Sequence, residues 1–162
     1  MKYDKSFLRK KFISLRKKKY TSVKNFNFNL IFKLIEKNFN KKKIIIASYY
    51  PASYEVNILE FLNKAEKRNF KTALPSVIST TKMCFKLWNY HDPLSINNFG
   101  ILEPNKKNKE IIPDLVLVPL LAFDNNLNRI GYGKGYYDRA LEKIKKLKKK
   151  TIFLGIAYSF QK

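Results

Sequence analysis

The feature that most restricts the fold is an alternation. Short runs of branched apolar residues, each long enough for one buried strand, are separated by stretches with apolar residues at helical spacing. "IIIAS" at 44–48 is one such run and ends before Pro51. "DLVLVP" at 114–119 is the most uniform, and "TIFLGIAYS" at 151–159 is the last. Between them, "VNILEFLNKAEKR" at 56–68 fits an amphipathic helix, and residues 136–149 fit another whose outer face reads "KIKKLKKK". Parallel strands need long crossovers, and helices supply them. The expectation is an α/β fold: a single-domain, three-layer, Rossmann-like sandwich with a largely parallel sheet.

The N-terminus is helical in this reading. Leu8, Phe12 and Leu15 repeat at i, i+4 and i+7 within residues 4–19, and Lys5, Arg9 and Arg16 follow a second stripe. A further helix spans 23–38, entered near Ser22, with Phe28, Ile31, Phe32 and Ile35 on its buried face. "FKTALP" at 70–75 reads as a strand closed by Pro75. In "KMCFKLWNY" at 82–90, Met83, Phe85 and Leu87 alternate against Cys84, Lys86 and Trp88, which suits a strand with two unlike faces. Residues 97–110 read as a loop. Lysine runs at 17–19, 41–43 and 148–150 fall at element ends, where charge is solvated. No internal repeat and no linker divides the chain.

A net charge of +22 raises the question of nucleic-acid or anionic-membrane binding. Only five of the 34 basic residues are arginine, however, and Asn, Ile, Phe and Tyr abound. Those residues and lysine share A- and T-rich codons, so base composition alone gives this bias. Arginine is the residue suited to bidentate phosphate and base contacts. The expectation is weak polyanion binding at low salt and no specific nucleic-acid partner. No apolar run reaches the roughly 20 residues of a membrane span, and the basic N-terminus lacks an apolar signal core. The expected setting is the cytoplasm, as a monomer. The single cysteine, Cys84, excludes an internal disulfide, and His91 is the only histidine; both read as structural.

Three of the five glycines alternate within "RIGYGKGYYDR", residues 129–139. Between a strand and a helix, Gly131, Gly133 and Gly135 let the backbone approach a ligand without Cβ clashes. Amides in such a loop can converge into an anion nest, and the helix adds its N-terminal dipole. Lys134 within the loop and Arg129 at its entrance supply countercharge. The pattern suits a phosphate, although its spacing is neither G-x-x-x-x-G-K-[ST] nor G-x-G-x-x-G. A tight turn that merely needs glycine is the alternative. Asp138, in the first helical turn, is either a helix-dipole partner or a magnesium ligand beside phosphates. Tyr136 and Tyr137 are neighbours, so one can pack inward while the other faces the site.

Taken together, these segments resemble the 5-formyltetrahydrofolate cyclo-ligase family. The similarity runs in order through "KSFLR", "YYPASYEVN", "LPSV", "MCFKLW", "FGILEP", "DLVLVPLLAFDNNLNRIGYGKGYYDR" and "LGIAYSFQ". It implies one cyclo-ligase domain over residues 1–162, short at its C-terminus relative to the family. It also implies an ATP- and Mg²⁺-dependent conversion of 5-formyltetrahydrofolate to 5,10-methenyltetrahydrofolate. ATP phosphorylates the formyl oxygen, N10 attacks the activated carbon, and ADP and phosphate are released.

The resemblance assigns ATP to Lys5 and Arg9, to Arg129 and Ile130, and to the loop Gly131, Tyr132, Gly133, Lys134, Gly135, Tyr136 and Tyr137. It assigns the folate to Tyr50 and Glu55, and to Tyr132, Gly133, Lys134, Gly135 and Tyr136. Magnesium falls to Asp138, and the chemical step to Arg129, Lys134 and Tyr136. The family has a further acidic magnesium ligand past the point matched by Gln161, and Asp124 is the candidate to replace it. Met83, Phe85 and Trp88 are candidates to wall the pterin, with a core role expected for at least two of them. Two rivals remain at this level: a degenerate member that binds ATP or folate with little turnover, and a basic nucleic-acid-binding module.

Overall fold

The computed structural model describes residues 4–22, 26–39 and 43–162. Helix α1 (Lys5–Lys19) is capped by Asp4, whose carboxylate accepts the Ser6 amide at 3.2 Å. Helix α2 (Asn29–Asn38) starts later than the helix expected over 23–38. The Asn27 side chain accepts the Asn29 amide at 3.0 Å and so sets the start there. Residues 23–25 lie outside the described residues. Asn57 does the same to α3 (Leu59–Lys67), accepting the Leu59 amide at 3.1 Å and moving the start inward from residue 56.

The strands are β1 (Ile45–Ala47), β2 (Lys71–Val77), β3 (Met83–Leu87), β4 (Leu94–Ile96), β5 (Leu102–Pro104), β6 (Glu110–Ile111), β7 (Leu115–Pro119), β8 (Ala122–Phe123), β9 (Arg129–Ile130) and β10 (Ile152–Ile156), with α4 (Tyr136–Leu147) before the last. Six of them form one sheet in the order β10-β7-β1-β2-β3-β6. The first four are mutually parallel, while β3 and β6 add an antiparallel edge. The expected largely parallel sheet is therefore present. Residues 97–110 are not simply a loop. They contain β5, which pairs with β4 in a small hairpin, and the first residue of β6. Such two- and three-residue strands carry no periodicity a sequence could show.

Nor does Pro75 close β2. The strand runs on to Val77, because β1 pairs only as far as Ala73 and β2 continues against β3 alone. The N–H that proline lacks falls on the side where no strand remains.

Successive strand residues face opposite layers. Ile46, Leu74, Leu115 and Leu117 meet α2 and α3 through Ile31, Phe32, Ile35, Phe61, Leu62 and Ala65. Ala47, Ala73, Val116 and Val118 meet α4 through Ala140 and Ile144. The result is the expected three-layer sandwich. Phe61 centres the first layer, with its ring 4.9 Å from Phe32 and 5.7 Å from Phe28. Burying one such side chain contributes about 1.5–3 kcal/mol. Met83 and Phe85 lie in the second core and Trp88 in the first, each less than a tenth exposed. All three are core residues rather than pterin walls. Among the described residues, no helix is long and apolar enough to cross a membrane.

Topology places the site. From β1 the chain crosses through α3 to β2 on one side; from β7 it crosses through α4 to β10 on the other. Because β1 and β7 are neighbours, the loops leaving their C-terminal ends diverge and open a crevice. Open α/β sheets bind ligands at such a switch point.

Candidate functional site

The loop after β1 holds Glu55. Ser53 and Tyr54 both adopt left-handed backbone, at φ 47° and 63°. The turn they make is closed by Glu55 itself, whose amide donates to the Ala52 carbonyl at 3.0 Å and whose carboxylate accepts the Ala52 amide at 3.0 Å. The carboxylate is 8% exposed. Burial pushes its pKa up; the Ala52 amide, the Tyr132 hydroxyl and the Arg16 charge oppose that shift. Tyr50 is half-buried against the α2–α3 core, on the same loop.

The loop after β7 begins with the β8–β9 hairpin. Asp124 closes it, accepting from the Asn126 and Asn128 amides at 2.9 and 2.8 Å and from Asn128 Nδ2 at 2.9 Å. Its carboxylate is thus committed to a turn rather than free beside Asp138. Ile130 pairs with Ala122 as the hairpin ends. The glycines follow. Arg9 Nε donates to the Gly131 carbonyl at 3.0 Å. Gly133 has φ +99°, and a Cβ there would lie 3.1 Å from Arg9 Cζ. Gly135, at φ +68°, caps α4. No backbone amide of residues 131–138 donates a hydrogen bond to any of the described residues. Eight consecutive donors without partners, ending at a helix N-terminus, form a ready anion cradle.

Cations surround this cradle. Arg129 forms an ion pair with Asp138, and Arg139 donates to the Lys134 carbonyl at 2.9 Å and the Thr81 carbonyl at 2.7 Å. Lys134 Nζ sits 3.5 Å above the Phe99 ring. Lys5 is exposed, one turn from Arg9. Of the tyrosine pair, Tyr137 is the inward one: its ring meets Phe85 edge-on at 6.2 Å and its buried hydroxyl has no partner. Tyr136 faces the site, donating from its hydroxyl to the Ser79 carbonyl at 3.2 Å. It also lines a cleft of about 570 Å³ between the end of β2 and the β4–β5 hairpin, together with Glu103 and with Phe99, whose ring centroid is 5.9 Å from its own.

Tyr132 connects the two loops. Its hydroxyl donates to Glu55 Oε1 at 2.9 Å and is held in turn by Arg16 Nη2. The structure therefore brings together Arg9, Arg129, Glu55, Asp138 and residues 131–137. Sequence reasoning gave Arg16 and Arg139 no part in the site. Their signal was available. Four of the five arginines in this lysine-rich chain (9, 16, 129 and 139) touch the loop or the ion pair at its base. Where lysine is the default cation, each arginine marks a place that needs a planar fork of donors.

The residues fit a nucleotide's phosphates, which the unpaired amides can receive. A magnesium ion would find one carboxylate, Asp138, whose side chain is 72% exposed. One or two carboxylates plus phosphate oxygens is the usual set for that ion. Among the described residues, no group of three or more His, Cys, Asp or Glu gathers as a protein-only metal site.

Comparison with known proteins bears on family and fold. The sequence model of the 5-formyltetrahydrofolate cyclo-ligase family matches residues 1–162. A 5-formyltetrahydrofolate cyclo-ligase of Mycoplasma pneumoniae is 37% identical over 118 residues, covering 72% of this chain and 61% of that protein. Across the curated relatives matched, the chain spans between 47% and 64% of their length. The solution structure of an Aquifex aeolicus 5,10-methenyltetrahydrofolate synthetase superimposes with a TM-score of 0.71 at 30% identity, over 97% of this chain and 79% of that one. A Mycoplasma pneumoniae 5,10-methenyltetrahydrofolate synthetase gives a TM-score of 0.69 at 27% identity, over 98% and 88%.

Proposed function

The chain belongs to the 5-formyltetrahydrofolate cyclo-ligase family, and from that membership we propose that it converts 5-formyltetrahydrofolate and ATP to 5,10-methenyltetrahydrofolate, ADP and phosphate. The observation that carries the reading is the run of unpaired amides at 131–138, flanked by arginines and joined through Tyr132 to a buried carboxylate. A phosphate cradle and an acceptor for a heterocycle's N–H groups are the two things this reaction needs side by side.

The roles follow from position. Arg9, Lys5 and the loop amides hold the nucleotide's phosphates from the α1 side. Glu55 accepts from the pterin's amino group and ring N–H, and Tyr50 lies beside it. The rest of the folate runs over the end of β2 into the cleft walled by Phe99 and Tyr136. The formyl oxygen then faces the terminal phosphate. It attacks phosphorus and ADP leaves. N10 next attacks the formyl carbon and gives up its proton, which leaves with the phosphate or to solvent, and the C–O bond breaks to release phosphate with the former formyl oxygen. Arg129 and Lys134 neutralise charge on the transferred group, and Tyr136 orients it. Magnesium, when bound at Asp138, would screen the phosphates' charge and polarise the phosphoryl group.

The test is ATP-dependent appearance of methenyltetrahydrofolate absorbance from 5-formyltetrahydrofolate and Mg²⁺. A signal that needs all three components is expected. A folded protein that gives none would overturn the reading in favour of a member without turnover. In the same assay, Asp138→Asn is expected to raise the Mg²⁺ needed for half-maximal rate at least tenfold, since even groups that only orient a metal ligand are worth about 10–100-fold in affinity. An unchanged Mg²⁺ titration would remove Asp138 from the metal site.

A further inference from the structure

Arg16 is the only buried residue of α1, at 1% exposure. Burying a guanidinium is unfavourable unless its charge and donors are answered. Its partners are all neutral. Nη2 donates to the Ser53 carbonyl at 2.7 Å and to the Tyr132 hydroxyl, Nη1 reaches the Leu120 carbonyl at 3.5 Å, and Nε has no partner. Its charge is answered one step further on, because the hydroxyl it holds donates to Glu55. The side chain also ties three segments at the switch point: the turn after β1, the end of β7 and the glycine loop. The Tyr132 ring lies 5.5 Å from the guanidinium, closing it from solvent on that side.

We propose that Arg16 is a positioning residue for folate recognition: acting through Tyr132, it fixes the orientation of the Glu55 carboxylate. The assignment rests on the cyclo-ligase reading for the identity of the ligand, but not for the Arg16–Tyr132–Glu55 chain itself. Arg16 and Arg9 lie on one stripe of α1, so the same helix grips the glycine loop at Gly131 and the folate acceptor through Tyr132. Other groups also face Glu55. The Tyr158 hydroxyl donates to its carbonyl at 3.3 Å, and the Tyr49 and Tyr137 hydroxyls, already raised by burial, are raised further by its charge. None of these phenols carries charge near neutrality; the Ala52 amide and the Tyr132 hydroxyl oppose the upward push of burial on the carboxylate's pKa, and the charge of Arg16 adds to them.

The experiment measures 5-formyltetrahydrofolate binding by calorimetry across pH, together with KM for each substrate, in Arg16→Met, Arg16→Lys and Tyr132→Phe. Loss of a charge-assisted contact of this kind is expected to weaken folate binding about 10–100-fold. KM for ATP should move less than KM for the folate. The acidic limb of folate binding should move to higher pH in Arg16→Met and in Tyr132→Phe, and Arg16→Lys should restore part of the shift. Tyr132→Phe covers the case in which Arg16→Met fails to fold, because it breaks the same chain at a half-exposed residue. Equal rises in both KM values, or a limb that stays in place in Tyr132→Phe, would overturn the assignment. The calorimetric limb reads the chain without turnover, so an inactive wild type that still binds the folate would count against the proposed reaction and not against this role. Wild-type protein that binds no folate at any pH would overturn both.

Discussion

Gly133→Ala is expected to lower kcat/KM for ATP by about 10²–10³-fold, the loss typical of removing one donor aimed at developing charge. Two effects combine. Gly133 sits at φ +99°, where a residue with Cβ is strained by about 1–3 kcal/mol. The new methyl would also lie 3.1–3.4 Å from three atoms of the Arg9 guanidinium. The side chain must then give way, or the loop must turn. Either response rotates unpaired amides away from the anion or moves Arg9 off the Gly131 carbonyl. The loop is exposed and lies outside both cores, so the melting temperature should fall only by what that strain costs, about 2–4 °C per kcal/mol. Steady-state kinetics with a parallel thermal melt checks the point. Full activity in the alanine variant would mean that the amides are not the phosphate cradle.

Glu55→Gln is expected to raise KM for 5-formyltetrahydrofolate by about 10–100-fold, as for other hydrogen bonds that lose a charged acceptor, with a much smaller change for ATP. Glutamine keeps the shape, and its one oxygen can accept the Ala52 amide while its NH2 group turns toward the Tyr132 oxygen, so the turn should survive. It cannot offer two acceptor oxygens to a pterin edge. The same variant makes a pH prediction. Only ionised Glu55 accepts from both ring donors. Burial holds its pKa above the ordinary glutamate value, so folate affinity in the wild type should fall as pH drops through that raised pKa. In Glu55→Gln that limb should disappear. A folate KM that neither rises nor loses its acidic limb would remove Glu55 from the binding site.

Much of the frame was legible in the chain. The strands at 44–48 and 114–119 were found because buried parallel strands are continuous apolar runs, and the helices because α2, α3 and α4 repeat at helical spacing. Glycine alternation marked the loop between β9 and α4 as a candidate site, since few reasons gather three of five glycines in five residues. The hairpin of β4 and β5 escaped because its paired residues, Ser95 and Glu103 among them, alternate nothing that a hydrophobic period could detect. The Arg16–Tyr132–Glu55 chain escaped for a different reason. It joins residues 77 and 116 positions apart, and proximity of that kind is set by sheet order rather than by local pattern. The turn that buries Glu55 was equally hidden, because Ser53 and Tyr54 take left-handed backbone without a glycine to announce it. Family resemblance supplied Glu55 where periodicity could not.

The attachment of α1 has one more implication. The one side chain this helix buries fully is a guanidinium, while its apolar row of Leu8, Phe12 and Leu15 is only partly covered. Contacts of that kind are weak in net free energy and lose strength in water and salt, so segments they hold can detach while the rest of the molecule stays intact. Under the proposed function, a helix that offers cations to the nucleotide and, through Arg16 and Tyr132, tethers the Glu55 carboxylate would then be seated most firmly when both reactants are present. On this view the enzyme would complete its own reaction chamber only when loaded, with α1 as the last wall to settle.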